Sequence, residues 1–259
     1  MSTPESPTRA ALLPGKVAVV TGGAGAIGRQ ICLTLAAEGA IVYCCDLDPD
    51  RCGQVVDAVH SAGGRAHALV GDIGDQATVE SLFGTVRAGA GRLDVLVNGA
   101  AWIVYELIGE IAEPTIDRMI TAGLKSIVWT TQQAIPLMRH AGGGSIVNIS
   151  SSAGVRPARR QFVYSGIKGA VGSMTVQSAV ELGPDGIRVN AVAPGLVVHD
   201  GNLARLSPAF IEARRADTPL GRLGRSEDIA GAVLFLASEL SSFVSGQTIT
   251  VDGGRLFAG

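Results

Sequence analysis

From Lys16 onward the chain repeats one unit: a short run rich in Val, Ile and Ala, then a longer stretch whose apolar residues recur at helical spacing. Parallel strands can be joined only by a crossover of a dozen or more residues, so this alternation demands β-α-β units around a parallel sheet. The strand runs fall at 16–21, 40–46, 65–70, 94–98, 144–149, 187–193 and 247–251. Each is nearly continuously apolar, which predicts cover on both faces. Helical spacing marks 26–38, 49–61, 75–89, 113–139, 163–182 and 226–237, with an irregular stretch at 194–225. No linker and no internal repeat interrupts the pattern. The expected fold is one α/β domain over residues 15–259, a doubly wound, seven-stranded parallel sheet with helices on both faces. A loose tail is expected at 1–14, where Pro4, Pro7 and Pro14 fall.

Composition narrows the function. With 21 Lys and Arg against 23 Asp and Glu the formal charge is −2, which excludes binding to nucleic acid driven by phosphate contacts. No apolar run approaches the roughly 18 residues of a membrane span, and the N-terminus lacks the pattern of a secretory signal. Cys32, Cys44, Cys45 and Cys52 show no CxxC spacing and the four histidines are scattered, so no metal is expected and a reducing, cytoplasmic setting is. Charged residues make up 17% of the chain, where about 25% is usual, which predicts buried subunit surface and an oligomer.

The first strand runs directly into Thr21-Gly22-Gly23-Ala24-Gly25-Ala26-Ile27-Gly28, which opens the first helix. Glycines there permit a tight turn and let a pyrophosphate approach the amides at the positive end of the helix. Asp46 ends the second strand eighteen residues past Gly28. A carboxylate there accepts hydrogen bonds from both ribose hydroxyls and repels a 2′-phosphate, so the expected cofactor is NAD rather than NADP.

Tyr164 and Lys168 are four apart in a helical stretch and share one face. A neighbouring ammonium favours phenolate, which would bring a poor acid-base group toward working range. Ser150, Ser151 and Ser152 end the fifth strand, where ligands sit in parallel sheets, and spacing alone does not choose which hydroxyl points inward.

These residues resemble the short-chain dehydrogenase/reductase family over about Lys16 to Gly254. The glycine turn, Asp46, Asp72, LVN at 96–98, NISS at 148–151, YxxxK at 164–168, RVNAVAPG at 188–195, PLGRLG at 219–224 and VDGG at 251–254 occur in family order. The resemblance implies a Rossmann-type fold, with Ser151 orienting the substrate, Tyr164 as acid/base, and Lys168 lowering the pKa of the tyrosine and binding the nicotinamide ribose. It also implies that Gly22, Gly25, Ile27, Gly28, Asp46, Leu47, Asp72, Ile73, Asn98, Lys168, Pro194, Gly195 and Val197 contact the dinucleotide, and that the assembly is a homotetramer, or a homodimer.

Three positions depart from the family pattern. Gly99 and Ala101 replace the second Asn and the Gly of NNAG, Gly123 stands where the family carries a relay Asn, and His199 stands where it often carries a Thr. Substrate contact is expected from Trp102, Tyr105, His199 and the loop at 196–215, with two aromatics favouring an apolar or ring-bearing molecule. Arg156, Arg159 and Arg160 would attract a carboxylate if one turned inward. The expected activity is NAD-dependent hydride transfer between a secondary alcohol or ketone and nicotinamide. A ketone or β-ketoacyl reductase, or a weakened NAD-binding sensor suggested by the three departures, stand as alternatives.

Overall fold

The computed structural model describes residues 10–203 and 206–258. Among them is a seven-stranded, wholly parallel sheet of order β3-β2-β1-β4-β5-β6-β7. Its strands are β1 (Val17–Thr21), β2 (Ile41–Asp46), β3 (Arg65–Val70), β4 (Val95–Asn98), β5 (Gly144–Ile149), β6 (Ile187–Pro194) and β7 (Thr248–Val251). Each lies within a residue or so of the run expected from sequence. The order reverses between β1 and β4, and ligands bind beyond the carboxyl ends of strands at such a switch point.

Helices α1 (Ala26–Ala37) and α2 (Pro49–Ser61) bury Ile31, Leu35, Cys52, Val55 and Val59 on one face of the sheet. Helix α3 (Gln76–Ala90) buries Val79, Leu82, Phe83 and Val86 on the other. The caps explain the boundaries. Asp48 accepts from the amides of Asp50 and Arg51 and Pro49 occupies the first turn, while Asp75 accepts from the Thr78 amide and Gly91 ends α3 at a φ of 68°.

The expected helix over 113–139 is interrupted. It comprises α4 (Glu113–Ile120), a π-helical turn (Thr121–Lys125) and α5 (Ser126–Ala141). The long α6 (Phe162–Leu182) follows on the α3 face. The stretch expected to be irregular holds two short helices, α7 (Asp200–Leu203) and α8 (Pro208–Ala216), the second capped by Ser207 with Pro208 in its first turn. Helix α9 (Ser226–Ala237) joins the α1–α2 face.

Two expectations need correction. Cover on both faces fails for the outer strands: only Ala66 and Leu69 of β3 are buried, and β7 is half-exposed. Edge position explains this, because an outer strand lacks a neighbour to carry flanking helices across it. The tail also ends earlier than expected. Residues 1–9 lie outside the described part, but Leu13 is 1% exposed in the core, and the Leu12 and Leu13 amides donate to the Glu38 carboxylate and carbonyl at 2.8 and 2.9 Å.

Candidate active site and dinucleotide cleft

A cleft of about 850 Å³ opens at the switch point. Its walls are the glycine turn after β1, Asp46 and Leu47 after β2, Gly71 to Gly74 after β3, Gly99 to Ile103 after β4, α4, and His199. The turn is shaped for close approach. Gly22 has a φ of 67°, and a Cβ there would lie 2.8 Å from the Ala100 backbone, while one on Gly28 would overlap the Gly22 carbonyl oxygen. Asp46 holds the turn as well as facing the cleft: its Oδ2 accepts from the Ala24 amide at 3.0 Å and its Oδ1 from the Leu47 amide at 2.8 Å. Arg51 grips the same residue from its other side, donating to the Ala24 carbonyl at 2.6 Å. This cradle, followed by an acidic side chain at the end of β2, fits a dinucleotide of the NAD(P) type.

Gly22, Gly25, Ile27, Gly28, Asp46, Leu47, Asp72 and Ile73 line the cleft as expected. Two others do not present side chains to it. Asn98 is 4% exposed, and its amide is taken by a chain of hydrogen bonds inside the protein: Thr130 donates to Asn98 (2.8 Å), Asn98 to Asn148 (2.9 Å), and Asn148 to Thr175 (3.0 Å). Val197 is buried in the α1–α2–α9 core. Pro194 and Gly195 end β6, where Gly195 packs tightly on Asp252: a Cβ on the glycine would meet that of Asp252 at 2.7 Å. The change from Asn to Gly at position 99 also has a local reason, since a Cβ there would lie 2.9 Å from the Thr21 carbonyl oxygen.

Beside the cleft, the ambiguity among the three serines is resolved. The Ser150 hydroxyl is buried and donates to the Lys168 carbonyl at 2.8 Å, and Ser152 opens a short 3-10 turn. Ser151 caps that turn, accepting from the Ala153 amide at 3.1 Å, and its hydroxyl acts on the Tyr164 phenol. Burial holds the Tyr164 phenol above its ordinary pKa, and the Ser151 hydroxyl draws it partly back.

Lys168 sits one turn further along α6, 7% exposed, and donates to the Ile149 carbonyl at the end of β5 at 2.7 Å. Burial brings its pKa down to about 8. Tyr164 and Lys168 thus share a helix face beside Ser151, but the expected lowering of the phenol by the ammonium is not what governs Tyr164 here. Burial governs it, the Ser151 hydroxyl only partly opposes that, and the lysine is directed at a carbonyl.

Gly123 lies buried in the π-helical turn, where a Cβ would be 2.8 Å from the Ile167 Cγ2. Ile167, between the tyrosine and the lysine, therefore fills the space that a larger residue at position 123 would need. The departure at 123 is one half of a packing pair.

The expected substrate residues divide. Tyr105 stands edge-on to Tyr164, ring centres 5.6 Å apart at 84°, and borders the reacting position. Trp102 lines the dinucleotide cleft instead, with the Arg118 guanidinium 4.4 Å over its ring, and His199 faces the same cleft from the opposite wall. Arg156 is corrected: its Nη1 donates to the carbonyls of Arg255 (2.9 Å), Leu256 (3.5 Å) and Ala258 (2.6 Å), so it ties down the C-terminal turn. Arg160, at a φ of 72°, donates to the Tyr105 carbonyl at 3.2 Å and joins the two loops flanking Tyr164. Arg51 and Arg118 were not foreseen. Arg51 had a signal in its place within the first turn after Asp46, whereas the Trp102–Arg118 contact joins separate elements and leaves no mark in the sequence.

Comparison with known proteins agrees with this geometry. A family model described as enoyl-(acyl carrier protein) reductase matches residues 22–255. The (2S)-[(R)-hydroxy(phenyl)methyl]succinyl-CoA dehydrogenase subunit BbsD of Thauera aromatica is 38% identical over 250 residues, covering 95% of this chain and 99% of its own. Cyclopentanol dehydrogenase of a Comamonas species is 37% identical over 240 residues, covering 92% and 96%. The solved structure of a 7α-hydroxysteroid dehydrogenase complexed with NADH and 7-oxo glycochenodeoxycholic acid matches with a TM-score of 0.91 at 33% identity, covering 95% and 96%. The chain belongs to the short-chain dehydrogenase/reductase family and is an oxidoreductase of that class. No helix among the described residues is long and apolar enough to cross a membrane.

Proposed function

We propose that this protein is an NAD-dependent dehydrogenase that oxidises a secondary alcohol to a ketone. The carrying observation is the trio at the end of β5: a phenol whose pKa the Ser151 hydroxyl pulls down against burial, with a buried ammonium one helical turn away. Ser151 holds the substrate oxygen, and Tyr164 takes the hydroxyl proton as the carbon gives up its hydride. Lys168 keeps positive charge near the developing phenolate and would hold a ribose hydroxyl of the bound dinucleotide. Bound dinucleotide supplies the hydride acceptor. Asp46 at the end of β2 supports NAD over NADP, because its carboxylate would repel a 2′-phosphate.

The substrate reading is an apolar or ring-bearing alcohol against Tyr105. It is supported by relatives that act on cyclopentanol and on a hydroxysteroid. A 3-oxoacyl-(acyl carrier protein) reductase from Thermotoga maritima, 36% identical over 242 residues, supports the reverse direction on an acyl ketone as the second reading. The substrate loop at 196–215, a homotetramer or homodimer, and a cytoplasmic setting belong to the same proposal.

The test is NADH formation over a panel of cyclic and linear secondary alcohols, repeated with NADP and with Tyr164→Phe. Turnover with NAD that falls by about 10³-fold in the variant, with NAD still bound, is the expected result. NAD binding without turnover on the whole panel would favour the sensor, and turnover preferring NADP would overturn the reading of Asp46.

A further inference from the structure

We propose that Arg214 and Arg255, braced by Arg156, form a subsite for a carboxylate carried by the substrate. This deepens the reading above and rests on it for the chemistry at the other end of the molecule. The three guanidiniums come from three segments: the loop between Ser151 and Tyr164, helix α8, and the turn after β7. Those segments are fastened together. Arg156 holds the C-terminal turn by three carbonyls, the Leu220 amide donates to the Gly253 carbonyl at 3.2 Å, and Asp252 packs on Gly195 at the end of β6. The cluster therefore lies on the carboxyl side of the sheet, next to the segments that frame the reacting position.

Among the described residues its anions do not balance its cations. Asp252 is engaged by its own turn, accepting from the Gly254 amide at 2.9 Å and the Leu256 amide at 2.6 Å. Asp217 must serve two arginines, and does so loosely, 3.5 Å from Arg214 and 3.9 Å from Arg255. Among the described residues, the buried Nε of Arg255 has no hydrogen-bond partner. Burial, together with the neighbouring Arg214 and Arg156, depresses the pKa of Arg255 more than Asp217 and Asp252 raise it. Arginines elsewhere behave differently: Arg222 pairs with Asp228 at 2.6 and 2.8 Å, and Arg139 with Asp185 at 2.7 Å. Planar guanidiniums short of acceptors suit a carboxylate, which takes two parallel N–H bonds from one fork.

The experiment compares hydroxy acids, with two to eight carbons between hydroxyl and carboxyl, with their neutral amides as substrates of the full chain. At the fitting length the acid should be preferred by about tenfold or more in kcat/KM, the scale of one or two charge-assisted bonds. Arg255→Ala and Arg214→Ala should each remove most of that preference while leaving the amide within about twofold, which also shows that the variants fold. Equal rates on acid and amide at every length, or variants that slow both alike, would overturn the subsite. Calorimetric titration with cyclohexanecarboxylate and its amide reads the subsite without turnover. Carboxylate binding that depends on Arg255, without oxidation of any alcohol, would sink the dehydrogenase reading and keep the subsite; oxidation without such binding would do the reverse. Stronger inhibition by inorganic phosphate than by acetate would overturn the choice of carboxylate.

Discussion

Asp94 and Lys168 are buried charges at opposite strand ends of one sheet, the amino edge and the carboxyl edge, and their surroundings differ. Asp94, 5% exposed before β4, receives four donors: Arg92 at 2.6 and 3.0 Å, the Val17 amide at 2.9 Å and Lys16 at 3.2 Å. Burial alone would raise its pKa, and these donors reverse that, leaving it below its ordinary value. Lys168 has one carbonyl and, among the described residues, no carboxylate partner, so burial dominates and its pKa falls. A charge fully matched by the protein closes the amino edge as structure. A charge left short of partners at the carboxyl edge is held ready for something that binds there.

Breaking each charge tests that contrast. The largest effect is expected for Lys168→Met, with alcohol oxidation reduced by about 10³-fold while the melting temperature at pH 7 stays level or rises. The sign follows from linkage. The unfolded lysine keeps its proton to about 10.5 and the folded one loses it near 8, so the wild type gains stability between those values. Any stability advantage of the variant should therefore shrink from pH 8 to 10.5 in thermal melts at stepped pH. A variant that unfolds readily at pH 7 would show that the lysine is a structural group after all.

Next comes Asp94→Asn, expected to cost about 2–3 kcal/mol in denaturant melts, below the full value for a buried pair because Arg92 and Lys16 are partly exposed. Its turnover per folded molecule should stay within about twofold. Because the folded pKa of Asp94 lies below 3.8, its stabilisation is present above that value and fades as pH falls through the folded one, so the gap between wild type and variant should close in acid. A large loss of kcat at full folding would erase the distinction between the edges.

The smallest effect sharpens the carboxyl edge itself. Gly123→Asn should destabilise by about 1–3 kcal/mol through overpacking against Ile167, and adding Ile167→Ala should restore much of it. Additive losses in the double variant would dissolve the packing pair.

The inner strands were readable because each is a nearly continuous apolar run, and α2 and α3 because Asp48, Pro49, Asp75 and Gly91 mark their ends. The π-helical turn was not, since it depends on Gly123 meeting Ile167 across two helices. Helix α8 did carry a signal in Ser207-Pro208, hidden by its weak apolar face: no residue of it is buried. At the site, Ser151, Tyr164 and Lys168 could be named from spacing and family order. Which group tunes the phenol could not, because the hydroxyl of Ser151 and the carbonyl of Ile149 reach their partners only in three dimensions. Arg156 illustrates the same limit: its charge was visible, its backbone partners a hundred residues away were not.

The grip on Ala24 bears on attempts to re-engineer nucleotide choice. Asp46 both lines the cleft and anchors the Ala24 amide, while Arg51 anchors the Ala24 carbonyl. Swapping the carboxylate for a neutral side chain would relax the loop at the same stroke as it removes the repulsion proposed against a 2′-phosphate, so such redesigns should weaken affinity for both dinucleotides unless a new donor-acceptor pair re-stakes that loop.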